Sequence, residues 1–100
     1  MARERGSSGR MRAMPSHRLP MPETVTVYGA DWCADCRRTR RYLDATATPY
    51  RWVDVNADAE IRLMLDAAGY RSIPVVALPS GQILVEPTED ELANVIGTAA

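Results

Sequence analysis

The stretch GADWCADCRRTRRYL, residues 29–43, contains both cysteines of the chain, Cys33 and Cys36. It follows TVTVYG, residues 24–29, in which threonine and valine alternate as they do in a β-strand. The residues after Cys33 are good helix formers without a β-branched run. The sequence therefore predicts a strand, a short loop and a helix, with the two cysteines at the start of the helix. Such a pair can be a redox centre, half of a metal site or a structural disulfide.

The charge distribution divides the chain into two parts. Residues 1–22 contain five arginines and one acid and are rich in Gly, Ser and Pro, whereas residues 23–100 contain seven arginines and twelve acids. We predict that residues 1–23 form a disordered basic extension and that residues 24–100 form one folded domain. His17, the single histidine, falls in the extension and is interpreted as solvated. The extension has no aromatic residues between its arginines, so no nucleic-acid partner is predicted.

The sequence predicts neither a secretion signal nor a membrane-spanning stretch. Its first residues lack the apolar segment of about 7–15 residues that a signal peptide needs, and no apolar run approaches the roughly 18 residues of a span. We therefore predict a cytoplasmic protein without a membrane partner. In the cytoplasm a cysteine pair is more often catalytic or metal-binding than a stable disulfide.

The remaining patterns predict seven elements in the order β-α-β-α-β-β-α. Further strands are predicted at YRWVDV, IPVVAL and QILVE, and further helices over the two segments with helical apolar spacing, around Ile61–Ala68 and Thr88–Ile96. Asn56 or Asp58 is expected to cap the second helix and Gly69 to end it. Thr88 and Glu91 have the spacing of a capping box for the third helix.

The first helix is predicted to bury one stripe and to expose its arginines. The stripe comprises Cys36, Thr39 or Arg40, Leu43 and Ala47. Asp44 is expected to pair with Arg40 or Arg41 on one helix face. Pro49 is expected to end the helix, because a residue that precedes proline avoids the α region. Arg38, Arg40 and Arg41 are interpreted as solvated surface or partner contacts.

The predicted strand-to-helix junction suits thiol chemistry. At the N-cap or in the first turn, free backbone N–H groups and the positive end of the helix dipole favour Cys33 as a thiolate, the form that attacks a disulfide. Cys36 lies almost one turn further on, so its sulfur can reach Cys33 and resolve a mixed disulfide. Arg37, four residues after Cys33, could add positive potential, whereas Asp35 and Asp31 oppose it. The pattern leaves that balance open.

The rival interpretations of the pair are weaker. Zinc usually takes four protein ligands in a structural site, and this chain offers two cysteines and one histidine in the extension, so no metal site is predicted. An iron–sulfur cluster would need ligands from a second chain or from small thiols. A disulfide would close a loop too short to constrain much of the unfolded chain.

SIPVV, residues 72–76, is the second informative stretch. Proline cannot donate a hydrogen bond to a sheet, so Pro74 belongs at the head of the strand or in a turn. Either it simply begins the strand, or a cis Pro74 follows a residue, Ile73, whose backbone groups bind an extended substrate. The sequence pattern leaves both interpretations open, since cis bonds are only about 5–6% of X–Pro bonds.

The element order, Cys33-Ala34-Asp35-Cys36 after the first strand and Ile73-Pro74 before the third resemble the thioredoxin superfamily, and more narrowly the glutaredoxins. The likeness covers residues 24–98. DWCADCRRTRRYLD, PYRWVDV, AGYRSIPVV and PTEDEL look most like the mycoredoxins, the glutaredoxin-like proteins of actinobacteria. The resemblance implies an α/β thioredoxin fold with a four-stranded mixed sheet and three helices.

The resemblance also implies a thiol–disulfide oxidoreductase and roles for particular residues. Cys33 would attack and Cys36 would resolve, with Arg37 and Asp35 tuning their ionisation. Trp32, Ile73, Pro74, Thr88 and Glu89 would contact the thiol cosubstrate or substrate, Pro74 as the cis proline facing the pair. The cosubstrate would be mycothiol, or else glutathione, and no bound cofactor is expected. Partners would be this small thiol and oxidised or thiolated proteins, and the chain would act as a monomer.

Departures from the glutaredoxin pattern favour mycothiol over glutathione. Ala30 stands where glutaredoxins usually have a lysine that binds a glutathione carboxylate, and Val85-Glu86-Pro87 replaces their Gly-Gly pair. Glu89 is a poor partner for a carboxylate but could suit sugar hydroxyls. Trp32 before Cys33 is thioredoxin-like, and AGYRSIPVV resembles a pattern in the ribonucleotide-reductase redoxins, which thioredoxin reductase reduces, although their Trp-Ser-Gly-Phe stretch is missing. A non-enzymatic cluster or metal carrier, using the pair across a dimer, is the third interpretation.

Overall fold

The structure, a computed structural model, describes residues 19–96. His17 and most of the proposed extension lie outside the described residues. Seven elements are present: β1 (Val25–Gly29), α1 (Ala34–Ala45), β2 (Tyr50–Asp54), α2 (Ala59–Ala67), β3 (Val75–Ala77), β4 (Ile83–Val85) and α3 (Glu89–Val95).

The strands form one mixed sheet in the order β2-β1-β3-β4. β1 is central, parallel to β2 and antiparallel to β3, and β4 continues the sheet antiparallel to β3. Four mixed strands with three helices in this order form a thioredoxin fold, as predicted. The arrangement places the carboxyl end of β1, and therefore the cysteine loop, at one end of the sheet.

Two apolar clusters cover the two faces of the sheet, because side chains alternate along each strand. Val27 of β1 packs in one cluster with Leu43 of α1 and Leu92 of α3. Tyr28, its neighbour in β1, packs in the other cluster with Leu65 of α2. Helices α1 and α3 thus cover one face and α2 the other, so the central strand is buried on both sides.

Helix α1 ends earlier than its apolar spacing predicts. Cys36, Thr39 and Leu43 are buried as expected, but Ala47 is exposed and lies outside the helix at φ 55°. Backbone hydrogen bonds from Ala47 to Asp44 and from Thr48 to Leu43 close the helix end. They form a Schellman motif, the arrangement in which glycine usually occupies the left-handed position. The motif, rather than Pro49, terminates α1.

The other helix ends follow the sequence. The Asp58 side chain accepts a hydrogen bond from the Glu60 N–H and caps α2. Gly69, at φ 91°, closes the same helix through the hydrogen bonds of a second Schellman motif. Thr88 and Glu91 exchange the two hydrogen bonds of a capping box at the start of α3.

The residues directly before β1 contact the folded domain. Leu19 packs against the cluster on the α2 face, and the side chain of Met21 lies near Gly81 in the β3–β4 turn. Residues 19–23, which the sequence assigns to the extension, therefore lie along the domain in this structure.

Candidate active site

Cys33 forms the N-cap of helix α1. The loop that leaves β1 turns back through a hydrogen bond from the Cys33 N–H to the Ala30 carbonyl, 3.2 Å. The Cys33 backbone is extended, and its Sγ accepts a hydrogen bond from the Cys36 N–H at 3.3 Å. The Cys33 carbonyl accepts the first helical bond, from the Arg37 N–H. A half-buried sulfur thus occupies the place where serine or aspartate oxygens usually cap a helix, with a backbone donor aimed at it.

Cys36 is the hidden member of the pair. Cys36 is 0% exposed, and the two cysteines are free rather than disulfide-bonded. Burial, followed by its hydrogen bond to Cys33, raises the pKa of the Cys36 thiol to about 12. At neutral pH Cys36 is therefore a protonated thiol, while Cys33 presents its sulfur at the surface. This difference would suit Cys33 as the attacking thiol and Cys36 as the thiol that resolves a mixed disulfide.

Gly29, the last residue of β1, makes room for this buried sulfur. A Cβ at Gly29 would lie 2.7 Å from Cys36 Sγ and 2.9 Å from Cη2 of Trp52. Both distances are too short for a real side-chain contact, so only glycine fits unless one of these groups moves. The sequence marked Gly29 only as the end of a strand, since neither contact is local.

The Ile73–Pro74 peptide bond is cis, as the resemblance implies. Tyr28 pairs with Val75 across the β1–β3 ladder, so the register places Pro74 beside Gly29. Pro74 is buried, and its carbonyl accepts a hydrogen bond from the Glu86 N–H at 2.8 Å. Within residues 19–96 no hydrogen bond to the Ile73 backbone is present, which leaves its peptide groups available to a ligand.

The start of α3 completes the same end of the molecule. The Glu86–Pro74 hydrogen bond connects the chain before Thr88 to the proline, and Glu86 adopts φ 48° where glutaredoxins usually have glycine. Thr88 and Glu89 are exposed, although the Thr88 hydroxyl already accepts a hydrogen bond in the capping box. Trp32, next to Cys33, is 68% exposed. Pro74 thus lies beside the end of β1 that leads to Cys33, and the Glu86 hydrogen bond connects the chain before Thr88 to it. Contacts of Trp32, Ile73, Thr88 and Glu89 with a thiol cosubstrate stay a prediction.

The predicted pKa-tuning residues are engaged elsewhere. Arg37 Nη1 donates to the Asp31 carbonyl at 2.7 Å, and the Asp35 carboxylate forms an ion pair with Arg38. Asp35 is the last of the causes that raise the Cys36 pKa. The influence of Arg37 on Cys33 therefore stays a prediction.

Three residues near the site were not singled out by the sequence as site residues: Arg40, Tyr50 and Trp52. Thr39 rather than Arg40 occupies the buried stripe, the Arg40 side chain is partly exposed, and its ion pair joins it to Asp31 rather than to Asp44. Its guanidinium carbon lies 4.1 Å from the Trp52 ring centroid, and its Nε donates to the Tyr50 hydroxyl. The alternation of Tyr50 and Trp52 in β2 was visible in the sequence, but their partner on α1 was not.

The part of the chain that the structure describes contains no cluster of three or more His, Cys, Asp or Glu side chains suited to a metal ion. Cys33 and Cys36 alone would supply two ligands, so a shared cluster stays a prediction that needs ligands from elsewhere. None of the described helices has the length and apolar character needed to cross a membrane.

Comparisons with known proteins agree on one family. The family model described as Glutaredoxin matches residues 25–82. Two curated Mycobacterium tuberculosis sequences, each named "Putative glutaredoxin", are 29% identical over 70 residues, which cover 68% of this chain and 83% of theirs.

Two solved structures show the same fold. The glutaredoxin-like NrdH-redoxin of Escherichia coli superposes with a TM-score of 0.65 at 22% identity, covering 71% of this chain and 92% of its own. A buckwheat glutaredoxin, solved as a glutathione complex, gives a TM-score of 0.58 at 16% identity and covers 76% of this chain and 70% of its own.

Proposed function

This chain belongs to the glutaredoxin family, and from that premise we propose that it is a thiol–disulfide oxidoreductase that works through Cys33 and Cys36. The observation that carries the proposal is the contrast between the two sulfurs, with Cys33 at the surface N-cap and Cys36 buried and protonated. We further propose that it acts as a monomer in the cytoplasm.

The reaction begins with attack by the Cys33 thiolate on a disulfide. With a mixed disulfide between a protein and a small thiol, a Cys33–small-thiol disulfide forms and the protein thiol leaves. A second molecule of small thiol then releases Cys33 and carries away the symmetric disulfide. With a protein disulfide, Cys33 first forms a mixed disulfide with one substrate sulfur, and the other leaves as a thiol. Cys36 then loses its proton, attacks Cys33 Sγ and expels the second substrate thiol, which leaves a Cys33–Cys36 disulfide.

The charges near Cys33 favour mycothiol over glutathione as the small thiol. Arg40 is paired with the Asp31 carboxylate and Arg38 with Asp35, so these two cations are already neutralised, whereas Arg37 donates to the uncharged Asp31 carbonyl and keeps its charge. Glu86 and Glu89 add negative charge on the α3 side. Glutathione brings two carboxylates, which the α3 side would repel, whereas the sugar-based mycothiol offers hydroxyl groups that carboxylates can bind as acceptors.

The proposed binding residues contact different parts of the cosubstrate and the substrate. The free backbone groups of Ile73 bind the cysteinyl part of the cosubstrate as an extended segment, beside Pro74. Thr88 and Glu89 face its sugar part, and exposed Trp32 contacts the thiolated protein.

Cysteine variants test the mechanism. Cys33→Ser should abolish reduction of every disulfide substrate, because Cys36 is buried and protonated. Cys36→Ser should still reduce mixed disulfides with the small thiol and should accumulate the Cys33 adduct. Mass spectrometry of Cys36→Ser isolated from its own cells would identify the small thiol by the mass of that adduct. Full activity of Cys33→Ser would refute the mechanism.

Arg71 allows a test of the choice of thiol. It is exposed, lies two residues before Ile73, and has no ion pair among residues 19–96, so on the Ile73 side it is a cation that a carboxylate could use. With mycothiol, Arg71→Ala should change KM less than twofold, as should the control Arg41→Ala on α1. A several-fold rise in KM confined to Arg71→Ala, together with efficient turnover of glutathione, would support glutathione instead.

A second candidate is a redoxin that thioredoxin reductase reduces directly. Exposed Trp32 before Cys33 favours it, as does the likeness to the E. coli NrdH-redoxin, whose structure is described as explaining a thioredoxin-like activity profile. NADPH consumption with thioredoxin reductase, measured beside the mycothiol-coupled reaction, separates the two candidates. Faster turnover with the reductase would favour the redoxin.

A further inference from the structure

Two arginines of α1 hold the loop that precedes Cys33. Arg37 Nη1 donates to the Asp31 carbonyl at 2.7 Å, and Arg40 Nη1 donates to the Asp31 carboxylate at 3.3 Å. We call Asp31, Arg37 and Arg40 the Asp31 clamp. Asp31 is well exposed, and an exposed ion pair alone contributes little. The importance of the clamp therefore depends on how firmly Arg40 is itself held.

Arg40 is fixed on strand β2 by two further contacts. Its guanidinium lies over the Trp52 ring at 4.1 Å, within the range of a cation–π interaction. Its Nε donates to the Tyr50 hydroxyl at 3.3 Å. The Arg40 side chain is only 34% exposed. Three partners hold it, Tyr50 and Trp52 on β2 and Asp31 in the loop before Cys33.

Trp52 connects this arginine to the buried cysteine. The edge of the Trp52 ring and Cys36 Sγ both approach the same point of Gly29, at 2.9 and 2.7 Å from where a Cβ would be. Trp52 and Cys36 therefore lie near one another at the end of β1. Arg40 contacts the loop before Cys33 through Asp31 and the surroundings of Cys36 through Trp52.

We propose that Arg40 is a positioning residue that keeps Cys36 enclosed while Cys33 carries a mixed disulfide. The inference rests on the proposed function. Cys36 already lies within hydrogen-bonding reach of Cys33, so what Arg40 controls is access from outside. With Arg40 in place, the ring of Trp52 and the Asp31–Trp32 segment keep external thiols and oxidants from Cys36 Sγ. Without Arg40 these groups move more freely, and external reagents reach Cys36.

The test measures the accessibility of Cys36 without any disulfide substrate. In a Cys33→Ser background, Cys36 is the only thiol, and its alkylation by iodoacetamide is followed across pH. We expect Arg40→Gln to accelerate alkylation by roughly tenfold, since a cation–π contact and an ion pair are lost together, and to shift its pH profile downward as burial decreases. Arg40→Lys, which keeps the charge but not the planar stack, should fall between.

Arg41→Gln is the matched control, because Arg41 is the next residue on α1, is exposed and has no ion pair among the described residues. It should leave the alkylation rate within twofold. In Arg40→Gln the alkylation rate should hardly change when low concentrations of urea are added. Such weak urea dependence indicates a local opening rather than global unfolding. A rate equal to that of the control, or a urea dependence equal to that of global unfolding, would overturn the proposal. Neither outcome depends on whether the protein turns over disulfides, which Cys33→Ser tests separately.

Discussion

At the scale of single residues, the site depends on an absent side chain as much as on the two cysteines. Gly29 sits where the Trp52 ring and the Cys36 sulfur converge on the end of β1. Cys36 is held by helix α1 and Trp52 by β2, so neither can retreat without disturbing its element. Cys36 can therefore be buried here only because the last residue of the central strand has no Cβ.

Gly29→Ala should destabilise the protein by about 1–3 kcal/mol, the usual cost of overpacking a filled core. Chemical denaturation of the reduced protein measures the change. If the clash with Cys36 Sγ causes it, the loss should be smaller when Gly29→Ala is made in a Cys36→Ala background. Equal losses in both backgrounds would assign the cost to Trp52 or to the backbone instead.

At the scale of elements, helices α1 and α2 end in the same Schellman motif with different residues at its left-handed position. Gly69 occupies it after α2 at φ 91°, and Ala47 occupies it after α1 at φ 55°. The left-handed conformation costs a non-glycine residue roughly 1–2 kcal/mol. Glycine avoids this cost, but its larger conformational freedom in the unfolded chain cancels part of the stability gained. The two motifs therefore form a matched pair.

We expect Ala47→Gly to raise the free energy of unfolding by up to about 1 kcal/mol and Gly69→Ala to lower it by a similar amount. A Cβ at Gly69 would meet nothing within 4 Å, so the second change isolates the backbone preference. Thermal or urea unfolding of both variants provides the comparison. A destabilised Ala47→Gly would show that exposed Ala47 makes contacts worth more than its backbone costs.

The elements were the part of the fold most accessible to sequence analysis. All seven were predicted in order, because strand alternation, helical apolar spacing, the Asp58 cap and the Thr88–Glu91 box are local signals. The end of α1 was wrong, since apolar spacing continues to Ala47 while the backbone has already turned. The contacts of Arg40 could not be predicted for another reason. Its partners Asp31, Tyr50 and Trp52 are 9 to 12 positions away in the sequence and meet it only in the folded domain.

At the scale of the whole molecule, the buried Cys36 thiol should make the folded protein less stable as the pH becomes alkaline. The pKa of Cys36 is raised from about 9 to about 12 in the folded protein. Below pH 9 the thiol is protonated in both states, so its full contribution is present. As pH rises from 9 toward 12, the unfolded chain loses this proton while the folded chain keeps it, and stability falls.

The reduced wild-type protein should therefore lose more stability between pH 8 and pH 10.5 than Cys36→Ser does. Urea denaturation at the two pH values gives both differences. Parallel losses in the two proteins would mean that Cys36 titrates near its ordinary pKa when folded.

The position of β1 in the sheet has a consequence for synthesis of the protein. β1 is the first of the described strands along the chain and the central one, and its partners β2 and β3 follow it. A ribosome-bound chain that already exposes Cys33 and Cys36 still lacks Ala77, the partner of Thr26, until some forty further residues have been added. We expect Cys36 to be more open to oxidants during that interval than in the folded domain, in which it is buried.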